Sequence, residues 1–194
     1  MKSVFVIISV LFVNFIFCQS FYDKFPTVQE IENNKKYLFI NRFTDGADKQ
    51  SVFVIYQDVK DEWVAKLYTH TFDVQNNEPK YLSKVGNLIH KDFGNLWLNI
   101  LMTDIEYLPT FDKIEYKIGV KKIINNDGIY DIVKTVDFVD HDTCYTINYK
   151  DGTKSNNIEY CDFNTNFKYN PNVDELISIQ KLIKLLKQEF KIDL

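Results

Sequence analysis

Apolar and polar positions alternate along much of the chain at the period of β-strands. Residues 36–43 (KYLFINRF) and 51–58 (SVFVIYQD) flank the turn-rich stretch TDGADKQ and read as a hairpin. Residues 62–73 (EWVAKLYTHTFD) predict a third strand. Residues 113–123 (KIEYKIGVKKI) and 129–139 (IYDIVKTVDFV) flank NNDG, a second hairpin signal. Residues 144–161 (CYTINYKDGTKSNNIEYC) supply two more strands around the four-residue loop Asp151–Lys154. About seven strands joined by short turns predict an antiparallel β-meander.

Helical spacing interrupts this pattern in three places. Thr27 and Glu30 have capping-box spacing and predict a short helix start. Val85, Ile89, Phe93, Leu96 and Ile100 recur at helical intervals and predict a central helical segment ending before Pro109. Gly86 and Gly94 weaken it, each by up to about 1 kcal/mol. At the C-terminus, Asn172 and Glu175 are cap candidates, and Leu176, Ile179, Ile183, Leu186 and Phe190 form one apolar stripe. Lys181, Lys184 and Lys191 fall on another face, expected to be solvated. The expected fold is α+β: a meander of about seven strands, with a C-terminal amphipathic helix and a central helical segment packed on it. The stripe is expected to cover the sheet face carrying Tyr145, Ile147, Ile158 and Tyr160, because that helix follows the last strand closely.

The N-terminus follows a different logic. One early lysine, Lys2, precedes an apolar run over residues 4–18, broken only by Ser9 and Asn14 and ending in Cys18-Gln19-Ser20. The run is shorter than the about 20 residues of a typical membrane span and has the layout of a signal peptide. It resembles bacterial export signals that end in Cys-Gln or Ser-Gln. The expected organisation is a signal peptide over residues 1–20 and a single domain over 21–194. That makes an exported protein, periplasmic, cell-surface or secreted. A lipid anchor at Cys18 is disfavoured by the bulky Phe17 before it. No later apolar stretch is long enough to span a bilayer.

Composition narrows the possible partners. Hydrophobic residues make up 45% and aromatics 15%, too apolar for a disordered chain. The formal net charge of −4 argues against nucleic acid. Arg42 is the only arginine, so a phosphate site would rest mainly on lysines and backbone amides.

Export bears on the cysteines, because losing Cys18 leaves an even number in an oxidising compartment. Pairing Lys150 with Ser155, Ile147 with Ile158 and Tyr145 with Tyr160 puts Cys144 opposite Cys161. A cross-strand disulfide is the expected outcome. Two cysteines alone are too few for a metal site, and they lack Cys-x-x-Cys spacing.

The remaining candidate chemistry is Asp140-His141-Asp142. Neighbouring strand residues point to opposite faces, so a polar turn is expected there rather than a converging site. His70 and His90 have no second ligand at metal-site spacing. Asp92-Phe93-Gly94 stands without the other kinase motifs. No nucleophile elbow, P-loop, dinucleotide fingerprint or His-Glu-x-x-His occurs.

No catalytic residue, metal ligand or cofactor is assigned. The expectation is an exported, non-enzymatic binding or accessory protein whose partner is a protein or small molecule. The competing expectation is an exported hydrolase with a site near Asp140 and His141. Tyr107, Phe111, Tyr116, Tyr145, Tyr149, Tyr160, Phe163, Phe167 and Tyr169 are expected to be mostly buried, with any exposed ones available to stack on sugars or anchor a partner.

Overall fold

A computed structural model describes residues 28–44, 49–75, 78–136 and 142–194. A six-stranded antiparallel sheet has the order β4-β3-β2-β1-β7-β8. Its strands are β1 (Lys36–Thr44), β2 (Lys49–Gln57), β3 (Trp63–Gln75), β4 (Glu78–Leu88), β7 (Thr143–Asp151) and β8 (Lys154–Tyr160). The first four form a meander. The chain then leaves the sheet and returns so that β7 pairs with the free side of β1, Ile40 opposite Ile147. Between them, β5 (Val120–Asn126) and β6 (Ile129–Thr135) form a separate two-stranded sheet.

Central strands β1 and β2 are apolar on both faces, and both faces are covered. Leu38, Ile40, Phe53 and Ile55 point into the main core. On that face lie α2 (Phe93–Leu101), α4 (Phe163–Tyr169) and α5 (Asp174–Phe190). Tyr37, Phe39, Val52 and Val54 form a smaller cluster on the other face with Ile31 of α1 (Val28–Ile31). Thr27 and residues 45–48, where the sequence predicts a turn, lie outside the described residues.

The C-terminal helix follows its sequence pattern. Leu176, Ile179, Ile183 and Leu186 are buried in one cluster with Tyr145, Ile147, Ile158 and Tyr160, and Phe190 packs partly buried against it. Lys181, Lys184 and Lys191 are exposed. The cap differs from expectation. Val173 takes the N-cap position without a side-chain bond, and Glu175 instead accepts from Lys117 Nζ at 2.6 Å.

Two stretches differ in type. Residues 85–88 belong to β4, with Val85 opposite Tyr68, so the central helical segment starts only at Phe93. Asp92 starts it, accepting from the Asn95 amide at 2.9 Å. The open edge of β3 recruits this polar stretch as an eighth strand, and Val85 and Ile89 are exposed. Residues 113–118 are also not a strand. They form α3 (Phe111–Ile114) and a 3₁₀ turn (Glu115–Lys117), which bury Ile114 and Ile118 in the main core. Ile114, Tyr116 and Ile118 alternate like a strand, but Phe111, Ile114 and Ile118 also fit a helical face.

Candidate functional site

The cysteine pair closes one end of the β7–β8 hairpin. Its register pairs Tyr145 with Tyr160 and Ile147 with Ile158, and the sulfurs of Cys144 and Cys161 lie 2.05 Å apart, at disulfide-bond distance. Beside them, Asp142 accepts from the backbone amides of Thr143 and Thr165, the latter at 2.7 Å, and from Asn164 Nδ2 at 3.0 Å. Burial works to raise its pKa, but these bonds and the Thr165 hydroxyl outweigh it and hold the carboxyl below its ordinary range. Asp142 therefore ties β7 to α4 as a structural acceptor. Asp140 and His141 lie outside the described residues.

The two other histidines serve packing and pairing. His70 is buried on β3. His90 lies between β4 and α2, not on a helix; its Nε2 is 2.9 Å from Glu189 and its Nδ1 accepts from the Asp92 amide. Among the described residues, no group of three His, Cys, Asp or Glu side chains is placed to hold a metal. Of the aromatics named as candidates in the sequence, Tyr145, Tyr149, Tyr160 and Phe163 are buried, and Phe111 and Phe167 are partly covered. Tyr107, Tyr116 and Tyr169 reach solvent.

The surface feature that stands out is the β5–β6 hairpin. Its turn is Asp127-Gly128, with φ of 54° and 87°, and the Gly128 amide donates to Asn125 Oδ1 at 2.8 Å. Positive φ at both central positions is the turn geometry that suits a two-residue hairpin. Across the strands, Ile123 faces Ile132 and Asn125 faces Tyr130; on the other face, Lys122 faces Val133 and Asn126 faces Ile129. Apolar side chains therefore occupy both faces, and neither face is covered. Ile123 and Tyr130 are each 73% exposed, and Ile132 is 68% exposed.

The hairpin is fixed at its base. Lys134 Nζ donates to the Glu115 carbonyl at 2.7 Å, and the Gly119 amide donates to Asn170 Oδ1 at 2.9 Å. Gly119 has φ +84°, and a Cβ there would lie 2.4 Å from the Thr135 carbonyl oxygen. Only glycine lets the two strands converge at this point. The alternation of residues 120–135 identifies the strands, but alternation alone does not tell a free hairpin from one packed on a core.

Compared with protein families, curated proteins and solved structures, the chain matches none. Among the described residues, no helix is long and apolar enough to cross a membrane.

Proposed function

We propose that this chain is an exported binding or accessory protein whose β5–β6 hairpin engages a protein partner. The observation that carries the reading is the exposure of Ile123, Ile129, Tyr130 and Ile132 on a hairpin that shares no strand with the main sheet. A two-stranded hairpin in water is marginally stable, and exposed apolar surface of this kind marks interaction sites. Among the described residues β5 and β6 pair only with each other, which leaves an open edge on each strand and favours a partner that adds a strand. Charge favours protein over an anionic membrane. Lys121, Lys122 and Lys134 are offset by Asp127 and Asp131, leaving little net attraction to lipid phosphate.

Export rests on the apolar N-terminal segment. A cysteine pair at disulfide distance supports an oxidising compartment. N-terminal sequencing from the native host should begin at or near Gln19 or Phe21, and an intact Met1 in a cytosolic fraction would refute export.

The partner test is site-specific photocrosslinking in the native host. A benzophenone amino acid in place of Tyr130 should give a discrete adduct, and the same probe in place of Lys181 should not. The adduct should vanish in Ile123→Ser/Ile132→Ser, which should keep the parent melting temperature because both residues are exposed. An adduct that survives this variant, or none at Tyr130, would refute the reading.

A further inference from the structure

We propose that the cavity between the C-terminal end of α2 and the β7–β8 turn is a binding site for a neutral polyhydroxylated ligand, a single sugar ring. This site is separate from the hairpin and does not depend on the hairpin's role. The cavity has a volume of about 560 Å³, and Leu101, Glu106, Tyr149, Asp151, Thr153 and Lys154 line it. That lies within the range of small-molecule sites.

Tyr149 is the residue that calls for a ligand. Its side chain is 1% exposed, its ring stacks on Trp97 at 5.9 Å, and its hydroxyl has no hydrogen-bond partner among the described residues. Buried hydroxyls are nearly always paired, because an unpaired one loses its water without compensation. Tyr149 lines the cavity while its hydroxyl is closed to solvent, so a molecule that enters gains this bond once a small shift of the wall exposes it.

Charge selects the class of that molecule. Glu106 is already paired with Lys154, Oε2 to Nζ at 2.9 Å. Asp151 accepts from Trp97 Nε1 at 3.0 Å and lies 3.4 Å from Lys36 Nζ. The acids and bases neutralise one another, so a charged ligand would find no unpaired counter-charge. The carboxylate oxygens retain lone pairs, and the Lys154 ammonium and the Thr153 and Tyr149 hydroxyls can still donate. An array of donors and acceptors with no net charge suits neighbouring hydroxyls on a neutral ring. Beside the lining residue Lys154, Tyr107 is 71% exposed, with Lys154 Nζ 5.8 Å from its ring centre. Its apolar face is available to pack on the C–H face of a sugar.

The test titrates the purified chain separately with glucose, galactose, mannose and N-acetylglucosamine, following heat and tryptophan fluorescence. Trp97 stacks on Tyr149 and donates to Asp151, two residues of the wall, so its emission should report occupancy. At least one sugar should give a saturable isotherm. Tyr149→Phe should weaken it about ten-fold, the effect of one hydrogen bond, without lowering the melting temperature of the free protein. Tyr107→Ala, at an exposed position, should weaken binding several-fold while leaving the fold unchanged. Methyl glycosides of the bound sugar separate two sources of the same ring: continued binding identifies a chain-end residue, and lost binding identifies the free sugar. No saturation with any of the four up to about 100 mM would overturn the proposal. So would unchanged affinity in Tyr149→Phe, or tighter binding of inorganic phosphate or spermidine than of any sugar.

Discussion

Tyr160 donates its hydroxyl to the carbonyl of Pro109 at 2.7 Å, while Tyr149, on the neighbouring strand, donates to nothing among the described residues. Both are almost fully buried. Removing the same atom should therefore have different consequences. Tyr160→Phe strips a bond from a carbonyl at the turn before α3 and should cost about 1–3 kcal/mol. Tyr149→Phe removes a hydroxyl that is desolvated without return, and should be neutral or stabilising. Urea unfolding of the two single variants measures both, and equal losses would contradict the assignment.

The helix stripe carries the largest expected loss. Leu186 is 0% exposed and shares its cluster with Tyr145 and Ile147. Leu186→Ala should cost about 2–5 kcal/mol through lost burial and the cavity left behind. Lys184→Ala, one helix face away and exposed, should stay within about 0.5 kcal/mol.

The disulfide should reinforce the fold without being required for it. The cysteines are 17 positions apart, and the chain-entropy estimate for such a loop is roughly 3 kcal/mol. Cys144→Ser/Cys161→Ser should lose that amount or less and remain folded, because the main core draws on β1, β2, β7, β8 and the C-terminal helix. Thiol titration of the oxidised mature protein should find no free thiol. Two reactive thiols would remove the bridge from the account.

Acid should destabilise the protein through two identified carboxylates. Asp142 is held below its ordinary pKa as described above. For Glu175, burial works to raise the pKa, but the hydrogen bond from Lys117, a backbone hydrogen bond and the Lys117 charge together outweigh it and hold the carboxyl below its ordinary range. A carboxyl whose folded pKa is depressed binds protons more readily in the unfolded chain. Its contribution is present above the unfolded value, near 4, and lost as pH falls towards the folded one. Unfolding free energy should therefore fall between about pH 5 and pH 3. Asp142→Asn should be less stable at pH 7 and show a shallower acid decline. An unchanged slope would rule out Asp142 as a contributor.

What the sequence disclosed depended on whether one pattern had one structural meaning. The β7–β8 register was legible because that alignment forms two apolar pairs, Ile147/Ile158 and Tyr145/Tyr160, whereas a two-residue Asp-Gly turn forms one, Tyr145/Ile158. The C-terminal helix was legible because a stripe over Leu176–Phe190 has no strand reading. Residues 85–89 misled because the end of this edge strand exposes Val85 and buries only part of Leu88, too little for a two-residue period, while Val85, Ile89 and Phe93 fall at helical intervals. Residues 111–118 satisfied both periods, and tertiary burial of Ile114 and Ile118 decided between them. The cavity at Tyr149 left no mark in the sequence, because its walls come from residues about 50 positions apart.

The return of the chain to β1 has a consequence for how the protein comes into being. Lys36 lies opposite Asp151, so one side of β1 has no neighbour until more than a hundred further residues have been synthesised. The meander β1–β4 can assemble from local contacts, whereas the β1–β7 seam must close a very long loop and is intrinsically slow. During that interval Phe39, Ile40 and the backbone of β1 form an apolar edge open to any passing strand. Completion of β7 ends that interval, because its pairing covers the open side of β1.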